Sequence, residues 1–430
     1  MADSKRPRSG VPPAGRTVGP TQKMLLTRSA TPDAGRLVFT RALRGFADGF
    51  VSVYLAEYLQ LLGFSAIQVG AIVTSTLVGS AALTLAVGLV AHRLSPRRVL
   101  LGAASLMLAT GIGFALVSGF WPLVLIGFAG TLNPSSGDVS VFLPTEQAVL
   151  SGEVAAAERT TLFARYSLGG ALFGAFGALA SGLPEIAAKR FGLDQIHTFR
   201  AGFVLYGIVA VVIGASYLGL THWESPSAGG PARRALRQSR SIVFRLTALF
   251  SLDSFGGGFA IDSMLALWLL LRFDLPLPVA GSVFFASRTL SAFSQLVSPR
   301  LAARFGLIET MVFTHIPANV FLVTAAFMPN AKLAVTFLLL RMAFSSMDVP
   351  ARQSYVMAVV PPEERAAAAS VTSVPRSLAA ALAPFLAGAL LQRSAFGWPL
   401  VVGGLLKLAY DLLLLALFRR VRPAHESPAA

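Results

Sequence analysis

Acidic residues inside apolar runs are the chemically informative feature of this 430-residue chain. A carboxylate in the middle of a bilayer is costly unless paired or wet, so such residues mark solute or proton paths. Asp138 stands in PSSGDVSVFLPTEQ (134–147), Asp48 in ADGFVSVYLAE and Asp253 in LDSFGGGFAID. A buried carboxyl can load and release a proton; the structural alternative is a salt bridge between helices. Asp138 follows Pro134 and Gly137, which loosen a helix and free backbone groups for a cavity lining. No arginine accompanies Asp138 on its own segment, so it is the better proton-carrier candidate. Arg41 and Arg44 precede Asp48 by seven and four residues and compete as its partners. Glu57 and Asp262 lie nearer one end of their segments, where gating or structural roles are expected.

Basic residues in apolar runs complete the chemistry. Arg341, Asp348 and Arg352 sit at i, i+7 and i+11, one face of a helix, so Asp348 is expected to be ionised and paired. Arg288 and Arg341 would attract an anionic substrate or pair with acids, with Asp253 or Asp262 as partner for Arg288. Lys407 and Asp411, four apart, are expected to pair with each other. The five histidines are isolated in the sequence, and no metal-ligand spacing appears. No phosphate-binding Gly-x-x-x-x-Gly-Lys-Ser/Thr occurs, which argues against drive by ATP. With no cysteine, disulfides, zinc thiolates and a thiol nucleophile are excluded. No cofactor and no enzymatic activity are expected.

The elements that must hold these residues are membrane helices. The chain is 54% hydrophobic and only 13% charged, against about a quarter charged in a soluble chain; mean hydropathy is +0.67. Apolar runs of about twenty residues recur, too long and continuous for barrel strands. Twelve segments are expected at 37–61, 67–92, 98–118, 121–150, 161–183, 200–220, 242–271, 277–302, 306–328, 333–357, 366–392 and 397–418. Residues 1–36 read as a disordered cytoplasmic tail, 37–220 and 242–420 as two six-helix bundles, 221–241 as a cytoplasmic linker and 421–430 as a second tail. With both termini inside, the cytoplasmic side receives 21 Lys/Arg and the opposite side five. That bias sets the orientation of a membrane protein, so the net charge of +16 reflects topology rather than nucleic-acid binding.

The halves repeat. An offset of 205 carries Asp48, Phe50 and Glu57 onto Asp253, Phe255 and Asp262. An offset of 210 carries Ser135-Ser136-Gly137-Asp138-Val139 onto Ser345-Ser346-Met347-Asp348-Val349, and Glu158-Arg159 echoes Glu364-Arg365. A duplicated six-helix unit with an internal link is the parallel-repeat layout of a large class of secondary transporters. Asp138 and Asp348 are then equivalent positions facing one central cavity.

These features resemble the major facilitator superfamily over about residues 37–420. The family's signature between helices 2 and 3 is similar to Gly88-Leu-Val-Ala-His92-Arg93-Leu-Ser95-Pro96-Arg97-Arg98, with His92 at its acidic position and Ser95 at its second glycine. The second-half copy keeps Arg304 and Gly306 but has Ala303 at the acid. The resemblance implies that Gly88, Arg93, Arg97 and Arg304 serve gating or structure; Arg352, flanking Asp348, is expected in the same role from its spacing. Segment 5 supplies Gly169, Gly170, Gly174, Gly177 and Gly182 without the proline of the family's exporters, so helix packing and an exporter signature both remain open.

The expectation is an all-α membrane protein of twelve transmembrane helices in two pseudo-symmetric bundles, working as a secondary transporter by alternating access. Asp48, Asp138, Asp253, Arg288, Arg341 and Asp348 are its candidates for substrate contact or proton coupling. Proton-driven antiport, with efflux of small organic or toxic compounds, is the leading expectation. Symport of an anionic metabolite with protons is the alternative, and a non-transporting receptor or assembly protein a third. A monomer in a bacterial inner membrane, handling a small molecule and protons, completes it.

Overall fold

The computed structural model describes residues 31–90, 94–135, 140–154, 158–221, 239–361 and 364–419. Among these every regular element is an α-helix. In the first half these are α1 (Pro32–Leu61), α2 (Ala66–Val90), α3 (Pro96–Leu116), α4 (Phe120–Ala129), α5 (Phe142–Gly152), α6 (Arg159–Ala180), α7 (Leu183–Phe191) and α8 (Gln195–Leu218). The second half holds α9 (Arg240–Gly258), α10 (Asp262–Phe273), α11 (Leu277–Phe305), α12 (Leu307–Phe327), α13 (Ala331–Phe344), α14 (Asp348–Val359), α15 (Arg365–Arg393) and α16 (Trp398–Phe418). Among the described residues, nine of the twelve expected segments are long and apolar enough to span a bilayer by composition. The other three are segment 1, which carries charges, segment 4, which is broken, and segment 8, which holds Arg288.

The first helix starts at Pro32, inside the stretch expected to be disordered. The reason is local: Thr31 caps the Ala34 N–H, proline occupies the first turn and Asp33 faces the dipole's positive end. Segments 7 and 10 each cross as one span interrupted at 259–261 and at 345–347. In segment 4, α4 ends at Ala129, residues 130–135 are non-helical, and helix resumes at Phe142. Backbone groups freed at such a break are tolerated only in protein or beside a wet cavity, so the breaks point to the centre of the molecule.

The two bundles meet along two seams, α2 against α15 and α6 against α11, with α10 also packed on α1. Close backbone approach within the first bundle explains Gly174 and Gly177 of segment 5. A Cβ on Gly49 would collide with the Gly174 carbonyl, and one on Gly177 with the Phe46 carbonyl. These glycines pack α6 onto α1, the packing alternative for that segment.

The seams are tight on the face opposite the termini. Gly70 lies against Pro384, Gly388 against Ala66, and Gly182 against Pro278. Thr74 Oγ1 accepts the Phe385 N–H at 2.9 Å, and Glu185 Oε2 accepts the Leu277 N–H at 2.9 Å. Towards the termini face the seam holds a gap of about 190 Å³ lined by Thr84, Ser140, Pro144, Ser373 and Ser377. The halves are thus in close contact on the far face and leave a gap at the α2–α15 seam towards the termini face.

Candidate functional site

A cavity of about 200 Å³ lies at the break between α9 and α10, closed by α11, the C-terminal part of α13 and Ser135 of the first bundle. Its polar lining is Ser135, Asp262, Ser287, Arg288 and Arg341; Ile261, Leu265, Phe284, Leu338 and Met342 form much of its apolar wall. Asp262 opens the half-helix α10, whose N-cap residue Ile261 supplies no side-chain cap. Asp262 itself stands in the first turn of that helix, where its carboxylate offsets the positive end of the dipole.

Arg288 is bound in place. It forms an ion pair with Asp262, and its Nη2 donates to Ser52 Oγ at 2.8 Å, joining α11 to α1 across the bundles. Of the two partners expected for Arg288, the structure pairs it with Asp262. Arg341 is different. Among the described residues no carboxylate lies within ion-pair distance of it. Its Nη1 makes a contact with Met342 Sδ at 3.6 Å, and its Nε has no hydrogen-bond partner among the described residues. A half-buried guanidinium with no directly paired carboxylate is costly to hold in place, and only the more distant charges of Asp262 and Asp253 are felt at it.

Asp348 and Arg352, four apart on α14, pair as expected, whereas Arg341 lies on α13 before the interruption at 345–347 and lines the cavity instead. Arg352 Nη1 reaches Asp253 Oδ2 at 3.1 Å and Asp348 Oδ2 at 3.4 Å. Lys407 Nζ donates to Asp253 Oδ1 at 2.5 Å. Gly256 makes room for it, since a Cβ there would stand 2.9 Å from Lys407 Cγ. Asp253 is thus held by two cations and is a poor free carrier.

The expected Lys407–Asp411 pair does not form. Asp411 Oδ1 lies 2.9 Å from His315 Nδ1, and Asp411 Oδ2 accepts from Asn319 Nδ2 at 3.0 Å. His315 Nε2 lies 3.7 Å from Asp253. His315, read as isolated in the sequence, is therefore the centre of a buried network of α9, α12, α14 and α16. The signal available was weak: His315 and Asn319 are four apart, one helical turn.

The first bundle has its own buried cluster, built around Glu146. Arg44 Nη2 donates to Glu146 Oε2 at 2.7 Å, Tyr217 to Oε1 at 2.5 Å, Thr40 to Oε1 at 3.0 Å, and Tyr166 also donates. Arg44 thus serves Glu146 rather than pairing directly with Asp48. Asp48 is buried, with the Asn133 side chain as its hydrogen-bond partner. The two halves use the same device with the signs exchanged. Arg44 of α1 lies over the Phe142 ring of α5 at 4.7 Å, whereas Arg352 of α14 lies over the Phe250 ring of α9 at 5.6 Å.

The remaining candidates lie away from the cavity. Glu57 sits near Glu185, Lys189 and Asp274 on the far face. Gly88 is exposed, with open space where a Cβ would stand. Arg97 is exposed, and Arg304 lies over the Phe305 ring at 5.2 Å. Asp138 and Arg93 fall outside the described residues.

Comparison with known proteins gives this geometry a family. The Major Facilitator Superfamily profile matches residues 37–347. An uncharacterized membrane protein of Saccharomyces cerevisiae, YJR124C, is 24% identical over 413 residues, covering 87% of this chain and 92% of the yeast protein. The fold is similar to a crystal structure of the nucleoside transporter NupG (TM-score 0.70, 14% identity, 90% of this chain and 100% of that one). It is also similar to a bacterial homolog of the human lysosomal transporter Spinster in an inward-facing, occupied conformation (TM-score 0.72, 15% identity, 92% and 98%). The inward-open xylose transporter XylE from E. coli matches too (TM-score 0.68, 13% identity, 92% and 98%). Two bundles of membrane helices around a central cavity, with a family match over most of the length, make the chain a multi-pass membrane transporter that belongs to the Major Facilitator Superfamily.

Proposed function

We propose that this chain moves a small organic anion through its central cavity by alternating access, coupled to protons. The observation that carries the reading is Arg341, a guanidinium lining the cavity with no carboxylate partner among the described residues. The apolar wall favours a solute with an apolar body, which also suits the expected efflux of organic compounds. Arg288, Asp262 and Ser287 would orient the solute, and Asp48 and Asp138 remain the carboxylate candidates for coupling in the first bundle. The excess of Lys/Arg on the termini face supports a cytoplasmic location for it, so the gap at the α2–α15 seam would face inward.

The test is thermal stabilisation of the purified chain by a panel of small carboxylates and sulfonates, each set against its neutral amide. A ligand that binds only the folded state stabilises it in proportion to the logarithm of its concentration over Kd. The expected result is stabilisation by an anion such as benzenesulfonate and not by benzenesulfonamide. Arg341→Gln removes a charge-assisted hydrogen bond worth about 1.5–3 kcal/mol, so Kd should rise roughly tenfold to a hundredfold. Equal binding of anion and amide, or an unchanged Kd in Arg341→Gln, would refute the reading.

A further inference from the structure

Two buried charged clusters lie outside the cavity, one in each bundle. The Glu146 cluster is complete: four donors satisfy two oxygens, and its one cation balances its one anion. The cluster around His315 is not complete in that sense. Asp411 Oδ1 lies 2.9 Å from His315 Nδ1, which calls for a proton on the nitrogen or on the carboxyl. Asn319 Nδ2 lies 3.1 Å from the same nitrogen, which calls for a lone pair there. Asp253 stands 3.7 Å from the other ring nitrogen, Nε2, and is best served by a proton on that side. A neutral imidazole beside an ionised Asp411 cannot meet all three demands, because it has one N–H and one lone pair, so the pair is short of one proton.

Every element around the ring contributes charge. Asp253 comes from α9, Asp348 and Arg352 from α14, Arg376 from α15, and Lys407, Tyr410 and Asp411 from α16; His315 and Asn319 belong to α12. With His315 neutral, three carboxylates face three cations. Adding one proton leaves a net positive charge in a buried site, and an anion in the cavity offsets it. Asp253 links the two places, since its charge is felt at Arg341 as well as at His315.

We propose that His315 and Asp411, with Asn319 as the orienting amide, form a proton-loading site whose occupancy favours anion binding at Arg341. The proposal rests on the anion reading above and adds the coupling site to it. The proton enters as H⁺, resides on the His315–Asp411 pair, and leaves as H⁺ after the solute; no bond is made or broken in the solute. Tight coupling to an anion predicts movement of proton and anion in the same direction.

Two measurements on the full chain test it. The first uses ¹⁵N-histidine labelling in nanodiscs, practical because the chain has five histidines. The His315 signal is the one lost in His315→Gln. The expected result is an imidazolium population at pH 6 that is depleted several-fold in Asp411→Asn. A His315 that stays a single neutral tautomer from pH 5 to 9, or that titrates identically in Asp411→Asn, would overturn the proposal.

The second uses proteoliposomes and benzenesulfonate. In folded His315→Gln, judged by size-exclusion profile, accumulation driven by a pH gradient should be lost and counterflow without a gradient retained. Wild-type accumulation in the variant overturns the proposal. Loss of both accumulation and counterflow in folded His315→Gln and Asp411→Asn also overturns it, in favour of a structural role. Failure of the anion reading is a different result: the unmodified chain then shows no counterflow, while the histidine measurement still decides whether the site holds a labile proton.

Discussion

Replacing Glu146 by glutamine isolates the energetics of the first bundle's charged centre. Both partners are sealed from solvent: Glu146 is 0% exposed and Arg44 2%. The carboxylate accepts from Arg44 and Tyr166 on one oxygen and from Tyr217 and Thr40 on the other. Glutamine keeps the shape but offers one acceptor and turns an N–H₂ group against two donors. It also strips Arg44 of the counter-charge 2.7 Å away. Removing one partner of a buried ion pair costs about 3–5 kcal/mol, chiefly because the other charge is left uncompensated. At about 2 °C per kcal/mol for a large domain, the midpoint of thermal unfolding in detergent should fall by about 5–10 °C. Arg44→Gln alone should fall by a similar amount. The double variant Arg44→Gln/Glu146→Gln should lose much less than the sum, since no orphaned charge remains. A Glu146→Gln midpoint within about 2 °C of the parent, or strictly additive losses, would refute the claim that mutual neutralisation holds this centre together.

Other consequences can be checked with the same protein. Gly49→Ala drives a methyl group into the Gly174 carbonyl, so overpacking should cost about 1–3 kcal/mol and lower the unfolding midpoint measurably. Because the chain lacks cysteine, single introduced thiols report access directly. Thr84→Cys, in the gap between the bundles, should react with a membrane-impermeant maleimide offered from the termini face and be protected from the other side. Glu185→Gln removes the charge of the carboxylate that accepts the Leu277 N–H at the start of α11 across the far seam. At about 0.3–1 kcal/mol for a charge at a helix N-terminus, far-face labelling of a Ser287→Cys cavity reporter should rise about twofold to fivefold. An unchanged labelling rate would show that Glu185 does not help close that face.

Much of the architecture was legible in the chain itself. The apolar helical segments and the repeat of Asp48 in Asp253 follow from hydropathy and offsets, because a bilayer admits few ways to satisfy a backbone. The convergence of Asp262, Arg288 and Arg341 on one cavity was legible only as a set of costly residues. What escaped was where segments 4, 7 and 10 break, since Pro134 and Gly137 hint at one break and little in 259–261 or 345–347 announces the others.

The sequence by itself determined which residues must be buried and that each buried charge needs company. Only the tertiary structure decided whose company. Arg44 has Asp48 one turn away on its own helix but binds Glu146 of α5; Lys407 has Asp411 one turn away but binds Asp253 of α9. A pair one turn apart on a helix gains only about 0.2–0.5 kcal/mol when exposed. In a dry core the neutralisation energy is several times larger and goes to whichever counter-charge the helix rotations bring within hydrogen-bond distance. Those rotations depend on glycine seams such as Gly49 on Gly174, and on crossings between helices far apart in the chain. For the same reason His315, isolated in the sequence, stands between two carboxylates in the fold.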